Sequence, residues 1–233
     1  MYTRLLVMYV GYMNQERNQK SGRYRSKYTL DETVFATMTD ETAYWVGFIL
    51  ADGNVDKPEL GTSRLRLCCN VRDRAHLEIF RDFVCSNKPI YELKSTNAVS
   101  FEVSSKRMLV DLKNYWFIVP KKSNVAEVHP ALRTSPHFWR GMIDGDGSVG
   151  KDKRPRYYIR LVGTKNVCDC WADYAERICG FRCKVGQDKR SPNQYWAVYS
   201  GPRAEKLIQH LYLDHTGPAL ARKKGVYASL ATN

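Results

Sequence analysis

HFWRGMIDGDGSVG, residues 137–150, sets Asp144, Asp146 and the glycines 145, 147 and 150 directly behind an apolar helical pattern, where a helix should be ending. Peptide dipoles leave that end of a helix partially negative, so carboxylates there are mildly destabilising and imply another role. The stretch has a counterpart. YWVGFILADGNV (44–55) lies over FWRGMIDGDGSV (138–149) at a constant offset of 94, pairing Trp45 with Trp139, Gly47 with Gly141, Ile49 with Ile143, Asp52 with Asp146, Gly53 with Gly147 and Val55 with Val149. Six identities in the eleven aligned positions from Trp45 onward, without a gap, indicate duplicated domains rather than a solenoid.

The segments downstream of the two copies run in parallel. After the first come a strand (63–71), a helix (72–84), strands around IYELKS and AVSFEVSS, and a helix (106–116). After the second come a strand (156–163), a helix (166–178), strands near RCKVGQ and YWAVYS, and a helix (203–213). Period-two and period-3.6 hydrophobic patterns alternate as those elements require. The expected class is α+β, built of two αββαββα repeats: 40–128, then 129–233, preceded by a basic N-terminal extension, 1–39. Pro130 and Pro136 interrupt helical patterning between the repeats.

Gly47 and Ala51 are four apart, as are Gly141 and Gly145, so each pair shares one helix face and permits close backbone approach. If the two copies pack through these faces, Asp52 and Asp146 emerge side by side. Their mutual repulsion and the unfavourable dipole call for a divalent cation, and a pair of carboxylates completed by water and phosphate suits Mg²⁺. Such a site can hydrolyse a phosphodiester. The plainer alternative is that Asp-Gly simply ends each helix as a turn. An EF-hand is excluded, because Val149 would take its glycine position and Pro155 its final glutamate.

Thirty-seven Lys and Arg against 24 Asp and Glu give a net charge of +13 and a pI near 9.4, which points to a polyanionic partner, nucleic acid before membrane. A merely soluble basic protein is the other reading. Hydrophobic content of 43% supports a folded chain. The apolar opening run, MYTRLLVMYVGYM, is far shorter than the ~20 residues of a membrane span and reads as a buried segment. Seven cysteines without a secretory signal suggest an intracellular, reducing compartment, cytoplasmic for a prokaryote or phage, with an organelle also open. Cys168, Cys170, Cys179 and Cys183 do not follow paired zinc-knuckle spacing.

The doubled motif resembles the LAGLIDADG homing endonucleases in their single-chain, two-repeat form, over roughly residues 40–230, with Trp45–Gly53 and Trp139–Gly147 filling the nine motif positions. The resemblance implies that Asp52 and Asp146 are metal-binding catalytic acids at the base of two paired helices. It implies a monomer with a pseudo-twofold saddle of two antiparallel sheets over duplex DNA, cutting both strands across the minor groove to leave 3′ overhangs. Mg²⁺ would support cleavage, and Ca²⁺ binding without cleavage. A lysine near the end of each repeat would approach the scissile phosphate: Lys122 and Lys224 match best, with Lys121 and Lys223 next. Asn70 resembles the polar strand-end residue that holds water near the metal, and Val162 stands at the corresponding place. The family role is intron or intein mobility. No splicing segment is visible, which points to an intron-encoded or freestanding enzyme. An RNA maturase, a non-cleaving DNA-binding regulator and a single-strand nickase are alternatives on the same fold.

The sixth motif position departs from symmetry, being Leu50 in one copy and Asp144 in the other. Asp144 points about 200° away from Asp146 on a helix and reads as a solvated side chain, or else as a flanking acid. Strand alternation puts Arg64, Arg66, Cys68 and Asn70 on one face, and gives Arg154, Arg156, Tyr158 and Arg160 a common parity. Arg182 and Lys184 would extend the second surface. Arginines on an exposed sheet face can read guanine in a major groove or only neutralise phosphates. The polar, basic segment 14–28 is expected to be an arm along DNA.

Overall fold

The structure is a computed structural model that describes residues 27–56, 63–154 and 156–228. The apolar opening run and all but the last two residues of the basic segment 14–28 lie outside the described residues.

The first half runs α1 (Asp40–Asp52), β1 (Asn54–Val55), β2 (Arg64–Asn70), α2 (Arg74–Phe83), β3 (Tyr91–Leu93), β4 (Ala98–Ser104) and α3 (Lys106–Trp116). The second runs α4 (Pro136–Asp146), β5 (Gly147–Lys151), β6 (Tyr157–Gly163), α5 (Lys165–Cys179), β7 (Gly186–Gln187), β8 (Tyr195–Ser200) and α6 (Pro202–Tyr212), followed by α7 (Ala221–Ala228). Each half forms one four-stranded antiparallel sheet with the same strand order, β1-β2-β4-β3 and β5-β6-β8-β7. This is the two-repeat α+β architecture that the duplication implies. The helix α7 is an addition that the hydrophobic patterning does not announce.

Local chemistry sets the ends of the motif helices. Thr39 caps α1 by accepting the Thr42 amide, and Ser135 caps α4 by accepting that of Phe138, with Pro136 in the first turn. Both helices stop where the chain turns directly into a strand at Gly53 and Gly147. A Cβ there would lie 2.7 Å from the Ile49 carbonyl oxygen in one repeat and 2.6 Å from that of Ile143 in the other.

The core follows the repeat. Trp45 packs on Phe80 of α2 with ring centroids 4.9 Å apart, and Trp139 packs on Tyr174 of α5 at 5.7 Å, so each motif helix is seated on its own sheet's covering helix. Leu65, Leu67, Phe101, Ile159, Leu161 and Tyr199 bury the inner sheet faces and leave the other faces to solvent.

One buried group makes stability pH-dependent. His76 of α2 lies against the Tyr44 hydroxyl (3.0 Å), and burial pushes its imidazole down to about 4. Because Tyr44 donates to Asp144, His76 Nε2 must donate to Tyr44, which leaves its buried Nδ1 bare. The unfolded chain binds a proton near pH 6.5 that the folded chain refuses until about 4. Stability therefore falls as pH drops through that window, by on the order of 3 kcal/mol. Urea midpoints should decline more steeply between pH 7 and 4 than those of His76→Phe; equal slopes would contradict this.

Candidate nucleic-acid cleavage site

α1 and α4 cross through their small residues. A Cβ on Gly47 would overlap the Phe138 carbonyl oxygen, and one on Gly141 would overlap that of Tyr44. Further along, Gly145 faces the Ala51 methyl, and its Cβ position lies 3.5 Å from Asp52 Cγ. The crossing therefore lays Asp52 against the last turn of α4, which ends in Asp146. Both acids reach solvent. Burial, then the neighbouring Asp52 charge, pushes the Asp146 carboxyl up to about 6. Asp52 is also raised by burial, against the pull of Lys223, Lys122 and Arg222. Asp146 lines a cleft of about 440 Å³ with Lys122, Val162, Thr164, Asn193 and Gln194.

Two lysines occupy the helix ends. Lys122 donates to the Gly53 carbonyl. Lys223, only 3% exposed, donates to the carbonyls of Ile143 (2.5 Å), Asp144 (2.8 Å) and Gly147 (2.7 Å). These ammonium groups oppose the helix-dipole penalty, which leaves the burial of the two acids and their mutual repulsion for a cation to relieve. Burial lowers the Lys223 pKa to about 8 and also lowers that of Lys122.

The partner of Lys122 is Lys223, whereas Lys224 is exposed. The first pair of lysines lies at a 3-10 turn, Lys122–Asn124, while the second lies inside α7, where successive side chains point about 100° apart and only one can face α4. Lys223→Met should slow cleavage by roughly a hundredfold, the scale of losing one preorganised charge beside the reacting phosphate. Lys224→Met should stay within about twofold, as surface charges contribute little. Strand-cleavage rates under single turnover check this, and the reverse ranking would reassign the residue.

Asp144 is not solvated. It is 1% exposed and accepts hydrogen bonds from Tyr44 Oη, Tyr212 Oη and the Leu220 amide, each at 2.7 Å. It does point away from Asp146, but that side of α4 is covered by α6 and by the segment leading into α7. Burial raises its pKa, and the three donors lower it. One turn earlier Arg140, also 1% exposed, donates to the carbonyls of Leu211, Thr216 and Pro218. The available signal is the swap of Val46 and Leu50 for Arg140 and Asp144, four apart on one helix face.

Strand register corrects the Asn70 comparison. Asn54 pairs with Arg66 and Ser148 with Arg160, so β2 and β6 correspond at the motif's own offset of 94. Val162 therefore matches Cys68, and Asn70 matches Thr164. Asn70 accepts the Arg72 amide (3.2 Å) and Thr164 that of Val167 (3.3 Å), so both cap the following helical turn. The contrast between Asn70 and Val162 therefore falls away, because the residue matching Asn70 is polar too.

On the outer sheet faces Arg64, Arg66 and Arg160 lie as strand alternation requires, with Tyr158 half-buried beside them. Arg64 pairs with Asp56 (2.7 Å) and Arg66 with Glu102 (2.6 Å), while the Arg160 guanidinium sits 5.9 Å from the Trp196 ring centroid. Arg154 and Arg156 lie just before β6 around Asp152, whose carboxylate pairs with Arg156 at 3.1 Å. Lys184 is exposed ahead of β7. Arg182 is elsewhere: it pairs with Asp173 (2.7 Å) and Asp169 (3.2 Å) of α5, on the covered side of the sheet. Residues 181–185 are not strand, so alternation does not govern them.

Among the described residues no three His, Cys, Asp or Glu side chains group to hold a metal. The acidic donor set is the pair of carboxylates, solvent-facing hard oxygens that fit an ion keeping most of its shell as water and phosphate oxygen. A thiophilic ion is a poor match, since Cys69 and Cys168 near the acids are held protonated by burial at about 12.

No family model and no curated protein matches the chain. Solved structures do. The LAGLIDADG homing endonuclease I-GzeII, in complex with its DNA target, aligns with a TM-score of 0.58 at 13% identity, over 84% of this chain and 90% of that one. I-LtrWI bound to target DNA gives 0.55 at 12%, over 83% and 91%. I-SmaMI bound to uncleaved DNA target in the presence of calcium ions gives 0.54 at 14%, over 84% and 90%. The fold is that of the two-repeat LAGLIDADG endonucleases.

Proposed function

We propose that this chain is a monomeric, site-specific DNA endonuclease that hydrolyses both strands with Mg²⁺. The observation that carries the reading is the meeting of two acidic helix ends, each with a lysine bonded to carbonyls at that end. Asp52 and Asp146 hold the cation, which when bound supplies charge neutralisation at the scissile phosphate and acidifies water. Lys122 and Lys223 bring fixed positive charge to the same place, and their attachment to helix-end carbonyls means that no reorganisation is needed when phosphate charge develops. Arg64, Arg66, Arg160 and Tyr158 orient the duplex from the outer sheet faces, with Arg154, Arg156 and Lys184 at the margin. The fold likeness supports cleavage across the minor groove with 3′ overhangs, and a role in intron mobility. The calcium complex of I-SmaMI with uncleaved DNA supports Ca²⁺ as a cation that permits binding alone. An intracellular, reducing compartment belongs to the same proposal, on the odd count of seven cysteines in the sequence.

The test is a supercoiled plasmid carrying the rejoined host sequence that flanks the gene, with and without Mg²⁺. Linear product with Mg²⁺ supports the proposal. Persistent open circles would make the protein a nickase, and a shifted but uncut band a binding protein of the maturase or regulator kind; either overturns it.

A further inference from the structure

The buried acid Asp144 takes no part in the chemistry above, yet its carboxylate is fully partnered and its position is not that of a filler. Oδ2 accepts the Leu220 amide (2.7 Å), and the backbone carbonyl of the same residue accepts Lys223 Nζ (2.8 Å). Leu220 is the residue from which α7 starts: its carbonyl receives the amides of Lys223 (2.9 Å) and Lys224 (3.0 Å). One residue of α4 therefore grips both the start of α7 and the ammonium group one turn into it.

We propose that Asp144 is a positioning residue, which fixes the first turn of α7 and thereby holds Lys223 at the end of α4, while Lys122 is held independently. The proposal rests on the reading above that Lys223 serves the cleavage site. The first repeat shows that the device is specific to one side. Leu50 occupies the corresponding position and is buried. Lys122 reaches Gly53 instead from a 3-10 turn whose preceding residue, Lys121, is left-handed (φ 56°). Backbone conformation places one lysine, and a side-chain clamp places the other. Tyr44 and Tyr212 hold the carboxylate oxygens, and Arg140 fastens carbonyls 211–218 of the segment leading to Leu220, so the clamp has little freedom to follow a shifting helix. Hydrogen bonds to a charged acceptor are stronger than neutral ones, which suits a joint that must not slip.

Lysine acetylation of the intact protein, without DNA or metal, reads this directly by mass spectrometry. Asp144→Asn preserves volume, Asp144→Leu copies the other repeat, and Tyr44→Phe removes an equally short bond to the same carboxylate without touching the Leu220 link. Lys223 labelling should rise by roughly tenfold or more in both Asp144 variants, as local opening of a protected group requires. Lys122 should be unchanged in them, and Tyr44→Phe should resemble the parent. Lys223 staying protected overturns the proposal, and so does Lys122 rising in parallel or Tyr44→Phe matching the Asp144 variants. If both Asp144 variants unfold, every lysine becomes reactive; the acid is then a folding determinant, and the proposal also fails. A second arm follows the two DNA strands separately. Asp144→Asn should slow one strand and accumulate nicked product, whereas equal slowing of both strands counts against positioning. A parent protein that cuts no DNA refutes the nuclease reading, and the labelling result still judges the clamp.

Discussion

Replacing Asp146 by asparagine is expected to abolish cleavage of both strands, by about a thousandfold or more, equivalent to roughly 4 kcal/mol in the barrier. Affinity for target DNA in Ca²⁺ should stay within about twofold, because phosphate contacts spread over many basic groups dominate binding. Electrostatics is the cause. Burial and the adjacent Asp52 raise the Asp146 carboxyl to about 6, so at pH 7.5 the site holds two charges that the free protein tolerates poorly. A group whose folded pKa lies above its unfolded value loses stability as pH rises through that interval. The neutral amide removes the repulsion, so Asp146→Asn should melt higher than the parent in chelator. The order should narrow or reverse in Mg²⁺, since only the paired acids gain from the ion. Lower stability in chelator together with unimpaired cutting would show that the two acids do not share a cation. Asp52→Asn should behave alike, because the crossing places its carboxylate against the same turn of α4.

The duplication makes the fold legible. Trp45 and Trp139, the paired small residues and the Asp-Gly ends recur in register, and each recurrence constrains packing that a single copy would leave open. The acids are legible for the same reason. Other parts of the site are not, because they depend on what covers a surface rather than on what lies on it. Asp144 looks solvated on an isolated helix, but Tyr44, 100 positions earlier, and residues 68 to 76 positions later bury it. Lys223 rather than Lys224 faces α4 because residues 221–228 are helical, whereas the matching KK of the first repeat sits at a turn. Strand alternation misplaces Arg182 because the stretch around it is not strand. The equivalence of Asn70 and Thr164, by contrast, is written in the chain: the motif offset of 94, carried past the motif into the next strand, gives it.

Gly141→Ala should destabilise the protein by about 2 kcal/mol and remove cleavage under conditions where the fold persists. An added Cβ at 141 would overlap the Tyr44 carbonyl oxygen and lie 2.8 Å from the Phe48 amide nitrogen. Both obstacles are backbone of α1, so no side-chain rotation relieves them and the helices must separate. Taken alone, the substitution favours a helix by up to ~1 kcal/mol, so the loss measures the crossing itself. Gly225 provides the internal control. It lies in α7 with nothing within 4 Å of an added Cβ, so Gly225→Ala should stabilise by up to ~1 kcal/mol. Each kcal/mol shifts the melting temperature of a chain this size by roughly 2–4 °C, so the two alanines should move it in opposite directions. Gly47→Ala meets the Phe138 carbonyl oxygen across the same crossing, and one outward displacement relieves both clashes. The double variant should then cost less than the sum of the singles. The same displacement carries Asp52 away from Asp146, which is why activity should fall further than stability. A Gly141→Ala protein that melts no lower than the parent and still cuts DNA would mean that close approach of α1 and α4 is not what brings the acids together.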